Sequence, residues 1–295
     1  MTREFLVNQI RTKKTFLCVG LDTDLTKIPK HLQSHQDSIF EFNKLIIDVT
    51  KDFCVAYKIN TAFYEALGVS GWEVMEKTAN YISGTHFKIA DAKRGDIGNT
   101  SSQYAKAFFE TMNFDAITVN PYMGEDSLRP FLEYENKWTI VLGLTSNSGA
   151  ADFELQKVES EIEDLHEGVP IKKKQTSYLY EAVIAKVNSW ATKDNLMFVV
   201  GATQSGELAS VRKIIPDKFL LVPGIGSQGG SLVEVSKAGL TKDCGLLVNV
   251  SRDIIYVGDD ESFATEARNV AQQYQREMES LLKSENILES STLIP

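Results

Sequence analysis

The sequence predicts a (β/α)8 TIM barrel with an extra N-terminal helix and an insertion after the fifth strand. Three observations predict it. Eight short apolar runs rich in β-branched residues recur along the 295-residue chain, and near-continuous runs of this kind suit parallel strands covered on both faces. Helical stretches lie between them at a spacing of roughly 25–40 residues, the alternation expected of a barrel. Polar and charged residues collect just past the C-terminal ends of the runs, where barrel active sites lie.

The elements follow in order. A helix is expected over residues 2–13, before the first strand, Phe16 to Asp22. The second strand is Val55 to Asn60, and the third begins at Phe87 and runs to Lys93. Gln103 to Phe109 reads as helix, Ala116 to Asn120 as the fourth strand and Thr139 to Thr145 as the fifth. The gap from Thr145 to Leu196 is unusually long. Its polar segment, 150–177, is expected to be a partly helical insertion and not a second domain, so that 1–295 form a single barrel domain. Leu196 to Gly201, Phe219 to Pro223 and Gly245 to Val250 complete the set of strands. A long helix over 261–284 presents Phe263, Ala267, Val270, Tyr274, Met278 and Leu281 as one apolar stripe suited to core packing. The tail, 287–295, is expected to be flexible. An open doubly wound sheet is the alternative architecture, but no GxGxxG fingerprint follows the first strand.

Composition narrows the function. The chain is 43% hydrophobic and 24% charged, with net charge −9 and a pI near 5.1, ordinary for a globular protein and unsuited to non-specific binding of nucleic acid or anionic membrane. No apolar run approaches the ~20 residues that span a bilayer, and the first ten residues lack a signal-peptide core. The expected location is the cytoplasm. Cys18, Cys54 and Cys244 form no CxxC pair or zinc spacing and read as buried, inert thiols. His31 and His35 stand one helical turn apart without a further ligand, so no metal site is expected.

The densest chemistry is Asp91-Ala92-Lys93-Arg94-Gly95-Asp96. Strand alternation puts Asp91 and Lys93 on one face. Such a cluster can be an exposed ion-pair network of little energetic weight, or a set of charges held ready at a strand tip. The other strand ends favour the second reading. They carry Asp22, Lys58 with Asn60, Asn120, Thr145 with Ser146, the turn Gly224 to Gly230, and Ser251 with Arg252. Packing alone does not require two lysines, three carboxylates and an arginine around one mouth. The glycine-rich turn lets backbone N–H groups approach an anion, and Arg252 at the neighbouring strand end offers a planar fork for phosphate.

These residues carry a family resemblance. The barrel from Cys18-Val19-Gly20-Leu21-Asp22 to Asn249-Val250-Ser251-Arg252 resembles orotidine 5'-phosphate decarboxylase, in its longer bacterial, type 2 branch. Asp91-Ala92-Lys93-Arg94-Gly95-Asp96-Ile97 is the most specific motif. Tyr57-Lys58-Ile59-Asn60, Thr145-Ser146-Asn147 and Gly226-Ser227-Gln228-Gly229-Gly230 agree with it. Ser148 departs from the branch, which often has proline before Gly149.

The resemblance implies decarboxylation of orotidine 5'-phosphate to uridine 5'-phosphate (UMP), the last step of de novo pyrimidine synthesis, without a cofactor. Lys93 would protonate C6 as carbon dioxide leaves, and Asp91 would sit against the substrate carboxylate. Lys58 and Asp96 would complete the array, with Asp96 and Thr100 reaching the partner's site in a homodimer with shared active sites. Asp22 and Thr100 would bind ribose hydroxyls, Ser146 the base, and Gln228 and Arg252 the phosphate. A lysine between aspartates keeps its proton, as a proton donor must. Two competing readings remain. A keto-sugar phosphate decarboxylase or aldolase shares the Asp-x-Lys-x-x-Asp pattern but uses Mg2+; Lys58 and the Thr145-Ser146-Asn147 loop favour the nucleotide enzyme. A non-catalytic sensor on the same barrel would be expected to have lost Lys93.

Overall fold

The computed structural model describes residues 1–35, 37–166, 169–226 and 229–288. Its strands, in chain order, are β1 (Leu17–Leu21), β2 (Ala56–Asn60), β3 (Phe87–Arg94), β4 (Ala116–Val119), β5 (Trp138–Leu144), β6 (Lys157–His166), β7 (Val169–Tyr178), β8 (Leu196–Val200), β9 (Phe219–Pro223) and β10 (Leu246–Val250). Eight of them close a barrel in the order β1-β10-β9-β8-β5-β4-β3-β2, and every pairing within it is parallel. The barrel is thus the closed alternative, not the open sheet. Every residue of β1, β4, β8 and β10 is buried. That explains why these strands read as unbroken apolar runs: helices cover the outside while side chains from all strands fill the inside.

The N-terminal end of the barrel is sealed. Phe87, Trp138 and Phe219, at the starts of β3, β5 and β9, pack edge to face at 5.9 and 6.3 Å. The helix Arg3–Lys13 lies across this end, capped by the Thr2 side chain, which accepts the Phe5 N–H. Arg3 donates to the carbonyls of Lys193 and Asp217 and stacks over Phe219. Lys13 donates to the carbonyls of Lys51 and Cys54. The barrel interior is therefore closed at this end among the described residues.

The helix Phe263–Ser284 buries Phe263, Ala267, Ala271, Met278 and Leu282, with Val270, Tyr274 and Leu281 packed at the margin. Phe263 stacks on Phe42 of the helix Ser38–Thr50 at 5.4 Å. Two expectations change here. The insertion is not partly helical in its body: apart from the short turn Ser148–Asp152 it is an antiparallel hairpin of β6 and β7, separate from the barrel sheet. The tail does not begin at residue 287, because Ile287 is buried against the core; residues 289–295 lie outside the described residues. Among the described residues no helix is long and apolar enough to cross a membrane.

Candidate active site

The first three strands deliver a linked row of charge. Lys58 points inward from β2, and its Nζ donates to Asp22 Oδ1 at 3.2 Å and to Asp91 Oδ2 at 3.0 Å. Its side chain is 5% exposed. Burial pulls the Lys58 ammonium down, but the two carboxylates outweigh it and hold it well above the usual lysine range. Asp91 accepts from Lys58 on one oxygen and from Lys93 Nζ (2.5 Å) and Thr118 Oγ1 (3.0 Å) on the other. Burial pushes its carboxyl up, but Lys58 and Lys93 prevail and hold it well below the ordinary carboxylate range. Asp91 is therefore an anion, and Lys58 a cation, at any pH near neutrality.

Lys93 is placed by a break in the strand. Its backbone is left-handed, with φ of 49°, a conformation that costs a non-glycine residue about 1 kcal/mol or more. The β3–β4 register shifts between Ala90 and Arg94. Thr118, on β4, holds the distortion by accepting the Lys93 N–H at 2.9 Å while donating to Asp91. Asp91 and Lys93 meet as expected, but through a bulge and not through regular alternation. The Lys93 side chain is half exposed, whereas Asp91 is 13% exposed.

Asp22 is held from behind. The Tyr256 hydroxyl donates to the Asp22 carbonyl and accepts the Asp24 N–H. A buried chain links Thr23 to Asn43, Asn43 to Tyr64 and Thr78, and Tyr64 to the Leu21 carbonyl. Fully satisfied buried networks of this kind fix a backbone in one position.

Other expected residues stand farther out. Asp96 Oδ1 accepts the Ile97 N–H at 2.8 Å, and its carbonyl accepts from Ser101. Among the described residues its carboxylate makes no ion pair, so it does not join the row within one chain. Thr100 sits in the first turn of the helix Gly98–Lys106. Asn120 caps the short turn after β4, accepting the Tyr122 N–H. Ser146 follows β5 and packs against Gly201, where a Cβ would lie 2.7 Å from the Ser146 Cβ. Only glycine lets these two loops approach so closely.

The glycine-rich loop after β9 folds on itself: Gly230 N–H donates to the Gly224 carbonyl at 3.0 Å, and Gly224, Gly226 and Gly229 all have positive φ. Gln228 lies outside the described residues. Arg252, at the end of β10, is exposed at the rim of a cavity of about 170 Å3. Asp22, Lys58, Asp91, Gly224 and Asn249 also line that cavity. A larger hollow, about 1000 Å3, lies on the outer helices beside Lys186, Trp190 and Lys213. It contains none of the strand-end charges, so the smaller cavity is the candidate site.

Three site residues escaped sequence reasoning. Thr118 had a weak signal, a hydroxyl inside an apolar strand. Asn249 had another, an amide near the end of the last strand. Glu154 had none: it lies in the polar insertion, yet its carboxylate accepts both the N–H (2.6 Å) and the Oγ1 hydroxyl (2.8 Å) of Thr145 and so braces the loop that carries Ser146. The thiols of Cys18, Cys54 and Cys244 are buried, and burial pushes all three up, Cys54 and Cys244 to about 12. They are too protonated to act as nucleophiles.

Residues 15–267 match the model of the family described as orotidine 5'-phosphate decarboxylase / HUMPS. The chain is 53% identical to an orotidine 5'-phosphate decarboxylase of Bacteroides fragilis over 287 residues, covering 96% of this chain and 99% of the relative. It is 54% identical to that of Christiangramia forsetii over 286 residues, again 96% and 99%. The solved structure of Leishmania donovani OMP decarboxylase is similar at 35% identity and a TM-score of 0.73, covering 94% of this chain and 99% of that one. The chain belongs to the orotidine 5'-phosphate decarboxylase / HUMPS family.

Proposed function

We propose that this chain is an orotidine 5'-phosphate decarboxylase that forms UMP and carbon dioxide in the last step of de novo pyrimidine synthesis. The observation that carries the reading is the row Asp22, Lys58, Asp91, Lys93 at one barrel mouth. In the reaction the C6–carboxylate bond breaks and its electron pair stays on C6. Lys93 Nζ delivers a proton to that carbon and is reprotonated from solvent, to which its half-exposed side chain has access. Asp91 stands against the departing carboxylate. Its own protonation is suppressed by its three donors, so the repulsion persists until carbon dioxide leaves. Preorganised ammonium groups stabilise charge developing at C6 without needing to reorient.

Asp22 and Thr100 bind ribose hydroxyls, Ser146 contacts the base, and Gln228 with Arg252 holds the phosphate. Arg252 suits that role because it is exposed at the cavity rim with its donor fork uncommitted among the described residues. Asp96 and Thr100 serve the partner's site in a homodimer. Supporting this, Phe63, Leu67, Ile97, Tyr122 and Met123 are exposed apolar side chains in the segments that follow the adjacent strands β2, β3 and β4. The single-domain organisation and a cytoplasmic location complete the proposal.

The Mg2+-dependent sugar-phosphate reading is disfavoured by Lys58. The space between the Asp22 and Asp91 carboxylates is already bridged by its ammonium. Mixing the protein with orotidine 5'-phosphate should remove the substrate's ultraviolet absorbance, with EDTA present or absent. No loss of absorbance, or a loss abolished by EDTA and restored by Mg2+, would contradict the proposal.

A further inference from the structure

The strand β5 ends at Leu144, and Thr145 and Ser146 open the loop that follows. Thr145 is held at two points by Glu154, whose Oε2 accepts its N–H at 2.6 Å and whose Oε1 accepts its hydroxyl at 2.8 Å. Thr145 Oγ1 also lies 2.6 Å from Asn147 Oδ1, so the residues on either side of Ser146 are joined across it. Ser146 also meets Gly201, where a Cβ would lie 2.8 Å from the Ser146 nitrogen and 2.7 Å from its Cβ. The serine is thus wedged between this brace and the loop after β8.

Glu154 is itself anchored. It lies just before β6, and its carbonyl accepts the N–H of Tyr180, just past β7, at 3.0 Å. Beside it the Leu179 N–H donates to the Gln156 carbonyl at 2.8 Å. Tyr180 is 1% exposed, and its hydroxyl donates to Glu207 Oε2 at 2.8 Å. Glu207 belongs to the helix Ser205–Ile214, which follows the Gly201 loop. The root of the hairpin therefore grips Glu154 from behind and ties it to the second loop that confines Ser146. A loop residue keeps a productive geometry only when its supporting contacts are fixed in this way. We infer that Glu154 is a positioning residue, acting through Thr145 to hold Ser146 where the pyrimidine is recognised, so that the root of the insertion sets recognition of the base. The inference rests on the decarboxylase reading for the contact between Ser146 and the base.

The test measures binding by calorimetry, independently of turnover. UMP and ribose 5-phosphate, the same ligand without its base, are titrated into wild type, Ser146→Ala, Glu154→Ala, Glu154→Gln and the double variant Ser146→Ala/Glu154→Ala, each checked for folding by circular dichroism. Glu154→Ala should weaken UMP by about tenfold, the scale of one lost hydrogen bond, and leave ribose 5-phosphate unchanged. Glu154→Gln should bind UMP like wild type, because its amide oxygen still accepts the Thr145 N–H and its NH2 can donate to the hydroxyl. Ser146→Ala should also cost about tenfold, and the double variant about tenfold rather than a hundredfold, since both changes remove one contact. Should Glu154→Ala fail to fold, Thr145→Val removes one of the same two bonds and must weaken UMP alone, by a smaller factor. Equal weakening of both ligands, losses that multiply in the double variant, or a glutamine variant as weak as the alanine would each overturn the inference. Turnover of orotidine 5'-phosphate by wild type is followed alongside. Base-selective weakening without turnover would sink the decarboxylase reading and leave this one standing; turnover with both ligands weakened equally would do the opposite.

Discussion

Replacing Lys58 with methionine removes the ammonium from the row while keeping most of the side chain's volume. Two charge-assisted bonds disappear, at 3.2 and 3.0 Å. The residues left behind differ. Asp91 keeps Lys93 and Thr118 as donors, and Asp22, 21% exposed, can recruit water. Deleting one partner of a buried pair costs about 3–5 kcal/mol; these remaining contacts place Lys58→Met at the lower end, near 3 kcal/mol. An unfolding entropy of about 2.1 cal/mol/K per residue, over 295 residues, is about 0.6 kcal/mol/K. The melting temperature should therefore fall by about 5 °C. Loss of a preorganised charge beside the reacting carbon should lower kcat by 100-fold or more, on the order of one oxyanion-hole donor. Calorimetry and steady-state kinetics on one preparation read both effects. A folded variant with an unchanged melting temperature and kcat within about tenfold of wild type would refute the reasoning, because Lys58 would then neither hold the two carboxylates nor serve the chemistry.

Three further outcomes are expected. Arg252→Ala should lose about 2–5 kcal/mol of kcat/KM on the nucleotide and little on orotidine, which lacks the phosphate; equal fractional losses would assign Arg252 to the fold or the chemistry. Mixed Lys93→Ala and Asp96→Ala subunits, each inactive alone, should regain activity, since one site of the heterodimer would be intact; no recovery despite proven subunit exchange would exclude shared sites. Burial and the Lys13 ammonium pull His86 down to about 4, so the fold binds it neutral. Its contribution to stability is complete above its unfolded pKa near 6.5 and drains away as pH falls towards 4, by at most about 3 kcal/mol. His86→Gln should flatten that stretch of a plot of urea midpoint against pH, and an unaltered slope would count against the assignment.

The barrel was legible because burial on both faces leaves a local signature: runs such as Leu246 to Val250 carry hardly any polar residue to confuse the period. The hairpin of β6 and β7 was not. Its strands carry charges such as Glu159 and Lys174, which pair across the ribbon, and no hydrophobic alternation marks it as strand. Strand-end position was enough to bring Asp22, Lys58, Asp91 and Lys93 together. It could not show the bulge at Lys93, because a left-handed lysine is sustained by a hydroxyl on the next strand, Thr118, and not by its own neighbours. Glu154 was invisible for a similar reason. Its partner, Thr145, lies at the other side of a turn whose closure depends on the hairpin root, where the Tyr180 N–H donates to the Glu154 carbonyl.

The central claim is that a proton carried by Lys93 replaces the departing carboxylate. Lys93→Ala tests it most directly, with kcat on orotidine 5'-phosphate followed by ultraviolet absorbance and folding followed by circular dichroism. The side chain is half exposed and its ammonium bonds to Asp91, so the variant should fold normally while turnover falls by 1000-fold or more, the upper range for a lost acid or preorganised charge. A folded Lys93→Ala protein retaining a tenth or more of the wild-type kcat would contradict the account.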